Sequence, residues 1–242
     1  MKRTTAHIIR DYGITIAVAI GIALTLRNFV IEAYKIPSDA MKPTLLAGDL
    51  IFVKKWSFQS GKVQPPERGD VVVFASSSPG STTRPLFIRR VVGLPGDEIE
   101  VRDGMVLLNK KSLANTSSLK TPSETGNPTG LEKRVDTEAP PPPSVKITEG
   151  TEVFPSGKSY PFIVAPPVIE NFGPQTVPQD FVFVIGDFRT QGELKNKKSW
   201  GLVPLETVKG KALSVWLSFE PSEKNSFAFP KFRLERMFRR IP

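Results

Sequence analysis

Seven short apolar, β-branched or aromatic runs recur along the chain, at 50–53, 70–74, 86–92, 98–102, 106–108, 181–185 and 212–219, each closed by Gly, Pro or a polar residue. Runs of this length predict strands rather than helices. Arg68-Gly69-Asp70, Pro95-Gly96-Asp97 and Asp103-Gly104 supply tight turns between them. Many short strands joined by such turns predict a mostly β fold built on an antiparallel sheet. One stretch breaks the pattern. Residues 12–26 are fifteen uncharged residues rich in Ile, Ala, Val and Leu, a helical span of about 22 Å against a hydrocarbon core of roughly 30 Å. If Arg27 snorkels, the span extends to Ile31 and the mismatch disappears. A cleaved signal peptide is the alternative, but no small-x-small site closes the run, which favours an uncleaved anchor. Lys2, Arg3 and Arg10 precede it, an arrangement that leaves the N-terminus in the cytoplasm and the remainder periplasmic or extracellular.

The segment 110–175 has a different composition, with Ser/Thr/Asn-rich stretches and the run Pro140 to Pro143. It reads as an inserted, partly irregular segment, its proline run a stiff spacer or, alternatively, a proline-recognition ligand. The predicted organisation is a basic cytoplasmic segment (1–11), a transmembrane anchor (12–31) and a β domain (32–109 and 176–242) interrupted by the insertion (110–175). The C-terminal stretch 227–240 interleaves Lys231, Arg233, Arg236, Arg239 and Arg240 with aromatics and Glu235. That pattern suits contact with anionic headgroups or a plain solvated basic tail.

The net charge of +9 over 242 residues points to an anionic neighbour. With an apolar N-terminal run in the same chain, a phospholipid membrane is the more economical reading than nucleic acid. No cysteine is present, so disulfides and thiolate chemistry are excluded. The single histidine, His7, precedes the apolar run, which excludes a Ser-His-Asp triad in the β domain and argues against a zinc site. No metal and no cofactor is expected.

Three blocks carry candidate chemistry. The first, 36–49, contains Ile36, Pro37, Ser38, Met41, Pro43, Thr44, Leu45, Gly48 and Asp49. The second, 87–97, contains Arg89-Arg90, Gly93 and Pro95-Gly96-Asp97, and the third contains Gly186-Asp187-Phe188-Arg189 followed by Trp200-Gly201-Leu202-Val203-Pro204. Together they resemble type I signal peptidases, serine/lysine-dyad enzymes that cleave exported preproteins after a small-x-small motif. The family patterns are Ile-Pro-Ser-x-Ser-Met-x-Pro-Thr-Leu-x-x-Gly-Asp, Lys-Arg-x-x-Gly-x-Pro-Gly-Asp and Gly-Asp-Asn-Arg with a later Trp-Gly-x-Val-Pro.

The resemblance implies a role for several positions. Ala40 stands at the nucleophile position, where a methyl group cannot form an acyl-enzyme. Arg89 stands at the general-base position, where a guanidinium remains protonated. Gly192 falls where the family carries the serine that orients the lysine, and the third block's aspartate position counts to Leu194 or Asn196, neither acidic. Ser38 matches the hydroxyl that assists the oxyanion, with the Ala40 N–H beside it. Tyr34, Lys35, Ile36 and Pro37 correspond to the edge that pairs with an extended substrate. Asp187 and Arg189 belong to the structural motif. Arg89 is expected to be held by a carboxylate, Asp187 or Asp39. The expected protein is a membrane-anchored, catalytically inactive signal peptidase-like chain that binds extended peptides or exported proteins, with an active paralogue as a further candidate partner. The alternative is an active signal peptidase I-type endopeptidase, either an engineered inactive variant of one or one with a relocated nucleophile such as Ser38.

Overall fold

A computed structural model describes residues 12–21, 31–55, 65–75, 85–115, 118–119, 147–168, 170–190, 200–220 and 231–242. Fourteen strands follow in order: β1 (Ile31–Lys35), β2 (Asp49–Lys55), β3 (Val71–Ala75), β4 (Leu86–Gly93), β5 (Glu98–Arg102), β6 (Met105–Leu108), β7 (Lys111–Ser112), β8 (Thr148–Val153), β9 (Ser159–Val164), β10 (Phe172–Thr176), β11 (Phe181–Ile185), β12 (Phe188–Arg189), β13 (Gly201–Pro204) and β14 (Val208–Ser218). A seven-stranded sheet runs β1-β2-β14-β3-β4-β11-β13, with every pair antiparallel. A four-stranded sheet, β10-β5-β6-β7, and a three-stranded one, β12-β9-β8, hold the remaining described strands.

Continuous apolar runs mark the strands that are covered on both faces. In β3, Val71 and Val73 join Ile36, Met41, Leu45, Ile51 and Ile88 in one cluster, while Val72 and Phe74 join Val91, Val182 and Val184 in another. A third cluster joins Val92, Phe183 and Ile185 of the large sheet to Ile99, Val101, Tyr160 and Phe162 of the smaller ones. Burying a side chain of this size stabilises the fold by roughly 1.5–3 kcal/mol.

Gly-Asp turns set the corners. In Leu94-Pro95-Gly96-Asp97 the Asp97 N–H donates to the Leu94 carbonyl (3.0 Å) and its carboxylate accepts from the Leu94 N–H (2.8 Å). Gly96 has φ 87°, the left-handed conformation a type II turn requires at that position. Asp49 and Asp70 close onto Leu46 and Glu67 in the same way. Asp103 (φ 51°) and Gly104 (φ 77°) make the primed turn between β5 and β6.

Two expectations change. Residues 12–21 are helical, but no described helix is long and apolar enough to cross a membrane. Ile31, taken as the last residue of a 12–31 anchor, is instead the first residue of β1, paired with Lys54; residues 22–30 lie outside those described. The segment 110–175 is also less irregular than its composition suggests. It contains β7, β8, β9 and β10, and β9 alternates strictly between buried Tyr160, Phe162 and Val164 and more exposed neighbours. Backbone bonds from Ile163 N–H to the Asp187 carbonyl (2.8 Å) and from Ala165 N–H to the Arg189 carbonyl (3.1 Å) tie this hairpin to β12 and the residue before it. The resulting β9–β12 pair is parallel, an exception in an otherwise antiparallel fold. The Pro140 to Pro143 run lies outside the described residues.

Candidate functional site

The loop 36–49 leaves β1 and returns into β2, its ends joined by Ile36 N–H to the Asp49 carbonyl (2.8 Å) and Gly48 N–H to the Ile36 carbonyl (3.0 Å). Met41 and Leu45 anchor it in the core. The Asp39 carboxylate accepts from the Ala47 N–H (3.0 Å) and pairs with Lys42 (2.8 Å). Pro37 stays exposed and Ser38 half-buried on the outer side of the loop, while Ala40 is fully buried. The Ala40 carbonyl accepts from the Phe188 N–H at 3.1 Å.

Arg89 and Arg90 are neighbours on β4, so their side chains leave opposite faces of the sheet. Arg90 pairs with Ile185 and Val91 with Val184. A Cβ on Gly186 would meet the Ala40 carbonyl oxygen at 2.5 Å. The loop therefore packs against the chain just past β11, while Arg89 leaves β4 on the face that carries Val91. Only a residue without a side chain lets the 36–49 loop approach so closely.

The two acids proposed as partners of Arg89 are engaged elsewhere. Asp187 accepts from Arg90 Nε (2.9 Å) and Nη2 (2.7 Å) and from Thr44 Oγ1 (2.5 Å), and Asp39 is taken by Lys42. Arg89 Nη1 donates to the Ile88 carbonyl (2.7 Å), and its guanidinium carbon lies 5.9 Å from the Phe87 ring centroid. Strand alternation gives the reason: Asp187 sits on the Arg90 face. Gly192, Leu194 and Asn196 lie outside the described residues.

Arg90, Asp187, Arg189 and Glu152 are all fully buried. Arg189 reaches Glu152 with Nη1 and Nη2 (both 2.7 Å) and the Gly104 carbonyl with Nη1 (2.7 Å). The Tyr160 hydroxyl donates to Glu152, and the Tyr160 ring lies 4.2 Å from the Arg90 guanidinium. Burial opposes the charge on Arg90, but Asp187 outweighs it and the pKa is raised. Burial, then the Glu152 charge, pushes the Tyr160 phenol well above its ordinary value. Glu152 and Tyr160 were not among the residues singled out from sequence. The only signal was the alternation of β9, which holds Tyr160; Glu152, on β8, had none. Among the described residues no group of acids and histidine could hold a metal ion.

A second network holds the other end of the loop. Asp49 accepts from Arg236 Nη2 (2.6 Å), Ser218 Oγ (2.6 Å) and Arg233 Nη2 (3.4 Å). Burial works to raise the Asp49 pKa, but Arg236, the Leu46 N–H and Ser218 prevail and hold it below the usual carboxylate value. Asp97, gripped by Arg68 Nε (2.8 Å) and Nη2 (2.7 Å), is likewise lowered against the effect of burial. A carboxyl whose folded pKa is depressed stabilises the fold above its unfolded pKa of about 3.9, and that contribution vanishes as pH falls through the folded value. Urea midpoints are therefore expected to stay level between about pH 7 and 5 and to drop below about pH 4, with a shallower drop in Arg236→Gln.

Among the described residues β1 is an outer strand of the large sheet, paired with β2. Tyr34 pairs with Ile51 and Lys35 with Leu50, and Lys35 Nζ sits 5.0 Å over the Phe219 ring. Burial and a hydrogen bond to Glu32 push the Tyr34 phenol up to about 12, so it stays protonated. Tyr34, Lys35, Ile36 and Pro37 thus lie in sequence along the open edge and run directly into the Ser38-Asp39-Ala40 turn.

An antiparallel β domain with an outer strand feeding a buried loop, braced by Gly-Asp carboxylates, is the class of structure these features define. The family model "Signal peptidase, peptidase S26" matches residues 9–217, and the chain belongs to that family. It is similar to "Probable signal peptidase I-2" of Synechocystis sp., 30% identical over 204 residues that make up 84% of this chain and 70% of the relative. It is also 31% identical over 203 residues to "Signal peptidase I" of Leptolyngbya laminosa, covering 82% of this chain and 75% of the relative. A crystal structure of a signal peptidase I from Enterococcus faecalis aligns with 62% of this chain and 98% of its own at 22% identity, with a TM-score of 0.31.

Proposed function

We propose that this chain is a membrane-anchored, catalytically inactive member of the family that holds extended peptides or exported proteins along β1. The observation that carries the reading is the identity of two buried residues, Ala40 on the 36–49 loop and Arg89 on β4. At the family's nucleophile and base positions they supply no attacking oxygen and no proton acceptor. Peptide binding needs neither, because an incoming strand bonds to the free N–H and C=O groups of β1. Tyr34 and Lys35 line the route, and Ser38 with the Ala40 N–H stands at its end. The apolar run 12–26 supports anchoring, and in the helical part Tyr12, Ile14, Ile16, Val18 and Ile20 are all exposed. An active paralogue would then perform any cleavage of the cargo.

Ala40→Ser tests the assignment of roles. Restoring the hydroxyl alone is expected to leave a preprotein with an Ala-x-Ala site uncut, because Arg89 stays protonated. Preprotein cleavage by Ala40→Ser with Arg89 still in place would show that the base lies elsewhere.

A further inference from the structure

Residues 154–158 join β8 to β9 as a turn pinned against the β domain. The Gly157 N–H donates to the Phe154 carbonyl (2.9 Å), and the Phe154 N–H donates to the Lys158 carbonyl (2.8 Å). Phe154 is buried and stacked on Tyr160, with ring centroids 5.5 Å apart. Its ring lies so close to Gly69 that a Cβ there would meet it at 3.2 Å. Pro155, the next residue, is exposed, and together with Arg68 it lines both of two hollows. One, of about 520 Å³, lies among Pro65, Pro66, Leu94 and Lys158. The other, of about 640 Å³, lies among Leu108, Asn109, Lys111 and Val153. Volumes of this order are those of ordinary ligand sites.

Arg68 is held from behind. Its Nε and Nη2 donate to the two oxygens of Asp97 (2.8 and 2.7 Å), and Asp97 also accepts from the Asn109 amide (3.1 Å) and the Leu94 N–H (2.8 Å). That two-point grip occupies one edge of a planar guanidinium and fixes its orientation. Nη1, at the other corner, makes no hydrogen bond among the described residues, and the side chain keeps 34% of its surface exposed. A guanidinium braced in this way is ready for a second carboxylate. Lys111 and Lys158 add positive charge to the walls, and the acid there, Glu67, is taken by Lys158. The remaining walls are apolar, with Leu94, Pro155 and Val153 prominent.

We infer that the two hollows dock an acidic, otherwise apolar segment of a partner polypeptide. One of its carboxylates meets Arg68 Nη1, and an apolar side chain enters each hollow. In an extended segment, side chains two residues apart share a face at a spacing of about 6.6 Å. A pattern Leu-x-Glu-x-Leu therefore presents an acid between two apolar groups, matching a guanidinium that borders both hollows. The apolar walls would contribute nothing to a free inorganic anion, whereas they remove such side chains from water. Docking here gives the 110–175 segment a task of its own, and the inference stands whatever β1 holds.

Fluorescence anisotropy of labelled peptides with the full-length protein tests this. A peptide centred on Leu-Ser-Glu-Ser-Leu is expected to bind at least about tenfold more tightly than its Gln counterpart, because an ionised acceptor strengthens the bond to Arg. It should exceed by a similar factor a counterpart with both leucines replaced by serine. Arg68→Ala would also release Asp97, so the informative variant is Lys111→Glu, whose side chain is exposed and enters no ion pair among the described residues. Lys111→Glu is expected to weaken the Glu peptide at least about fivefold while leaving the urea midpoint at the parent value. Lys35→Glu, on β1, is expected to change that affinity less than about twofold. Equal affinity for the Glu and Gln peptides overturns the proposal, as does equal affinity for the leucine-free peptide, which reports surface charge alone. Binding lost in Lys35→Glu and kept in Lys111→Glu also overturns it, by assigning the peptide to β1.

Discussion

Asp187→Ala is expected to lower the free energy of unfolding by about 3–5 kcal/mol, the cost of removing one partner from a buried ion pair. Arg90 is completely buried and gives Asp187 two of its donors. Without the carboxylate its remaining acceptors are the Pro242 oxygen (2.6 Å), the Gly69 carbonyl (2.7 Å) and Thr44 Oγ1 (3.2 Å). None of them replaces the two-point contact that Asp187 gives the guanidinium. The damage should spread to the 36–49 loop, because Thr44 loses its own acceptor on Asp187. Equilibrium urea unfolding reads the loss. Asp187→Asn, which retains an acceptor at the same place, should cost less.

Glu152→Ala is expected to be as severe, about 3–5 kcal/mol, although position 152 lies in a segment whose composition suggests a dispensable insertion. Glu152 takes both terminal nitrogens of Arg189 and the Tyr160 hydroxyl, with no solvent access to either charge. The double change Glu152→Leu/Arg189→Met provides the control. Replacing both ions with apolar groups removes the unpaired charge, so the double variant should be markedly more stable than Glu152→Ala and approach the parent chain. If the β8–β9 hairpin were a loose appendage, Glu152→Ala would barely move the urea midpoint.

The strands of the main sheet were legible because β3, β4 and β11 are dense in valine, isoleucine and phenylalanine, and a glycine closes β4 and follows β11. β8 and β9 were hidden for two physical reasons. Their buried positions include a glutamate, whose burial depends on Arg189, far away in sequence. Pro161 and Gly150 also stand inside them, residues that ordinarily argue against a strand. At the site, block one was singled out by its residues alone; that its ends meet, Ile36 against Asp49, emerges only in the fold. The partner of Asp187 was misassigned because Arg89 and Arg90 are equivalent in composition, and only the alternation of β4 separates them. The clamp of Arg233 and Arg236 on Asp49 joins residues more than 180 apart, a contact no local pattern announces.

The proposed function joins a family scaffold, with β1 as the edge for an extended peptide, to a methyl and a guanidinium at the positions that the resemblance assigns to the cutting groups. The most direct measurement incubates the purified full-length protein with a labelled preprotein carrying an Ala-x-Ala site and follows binding and cleavage together, with Ser38→Ala in parallel to expose any contaminating peptidase. The account predicts a complex with intact preprotein and no product from either protein. Cleavage by the parent chain that disappears in Ser38→Ala would contradict it.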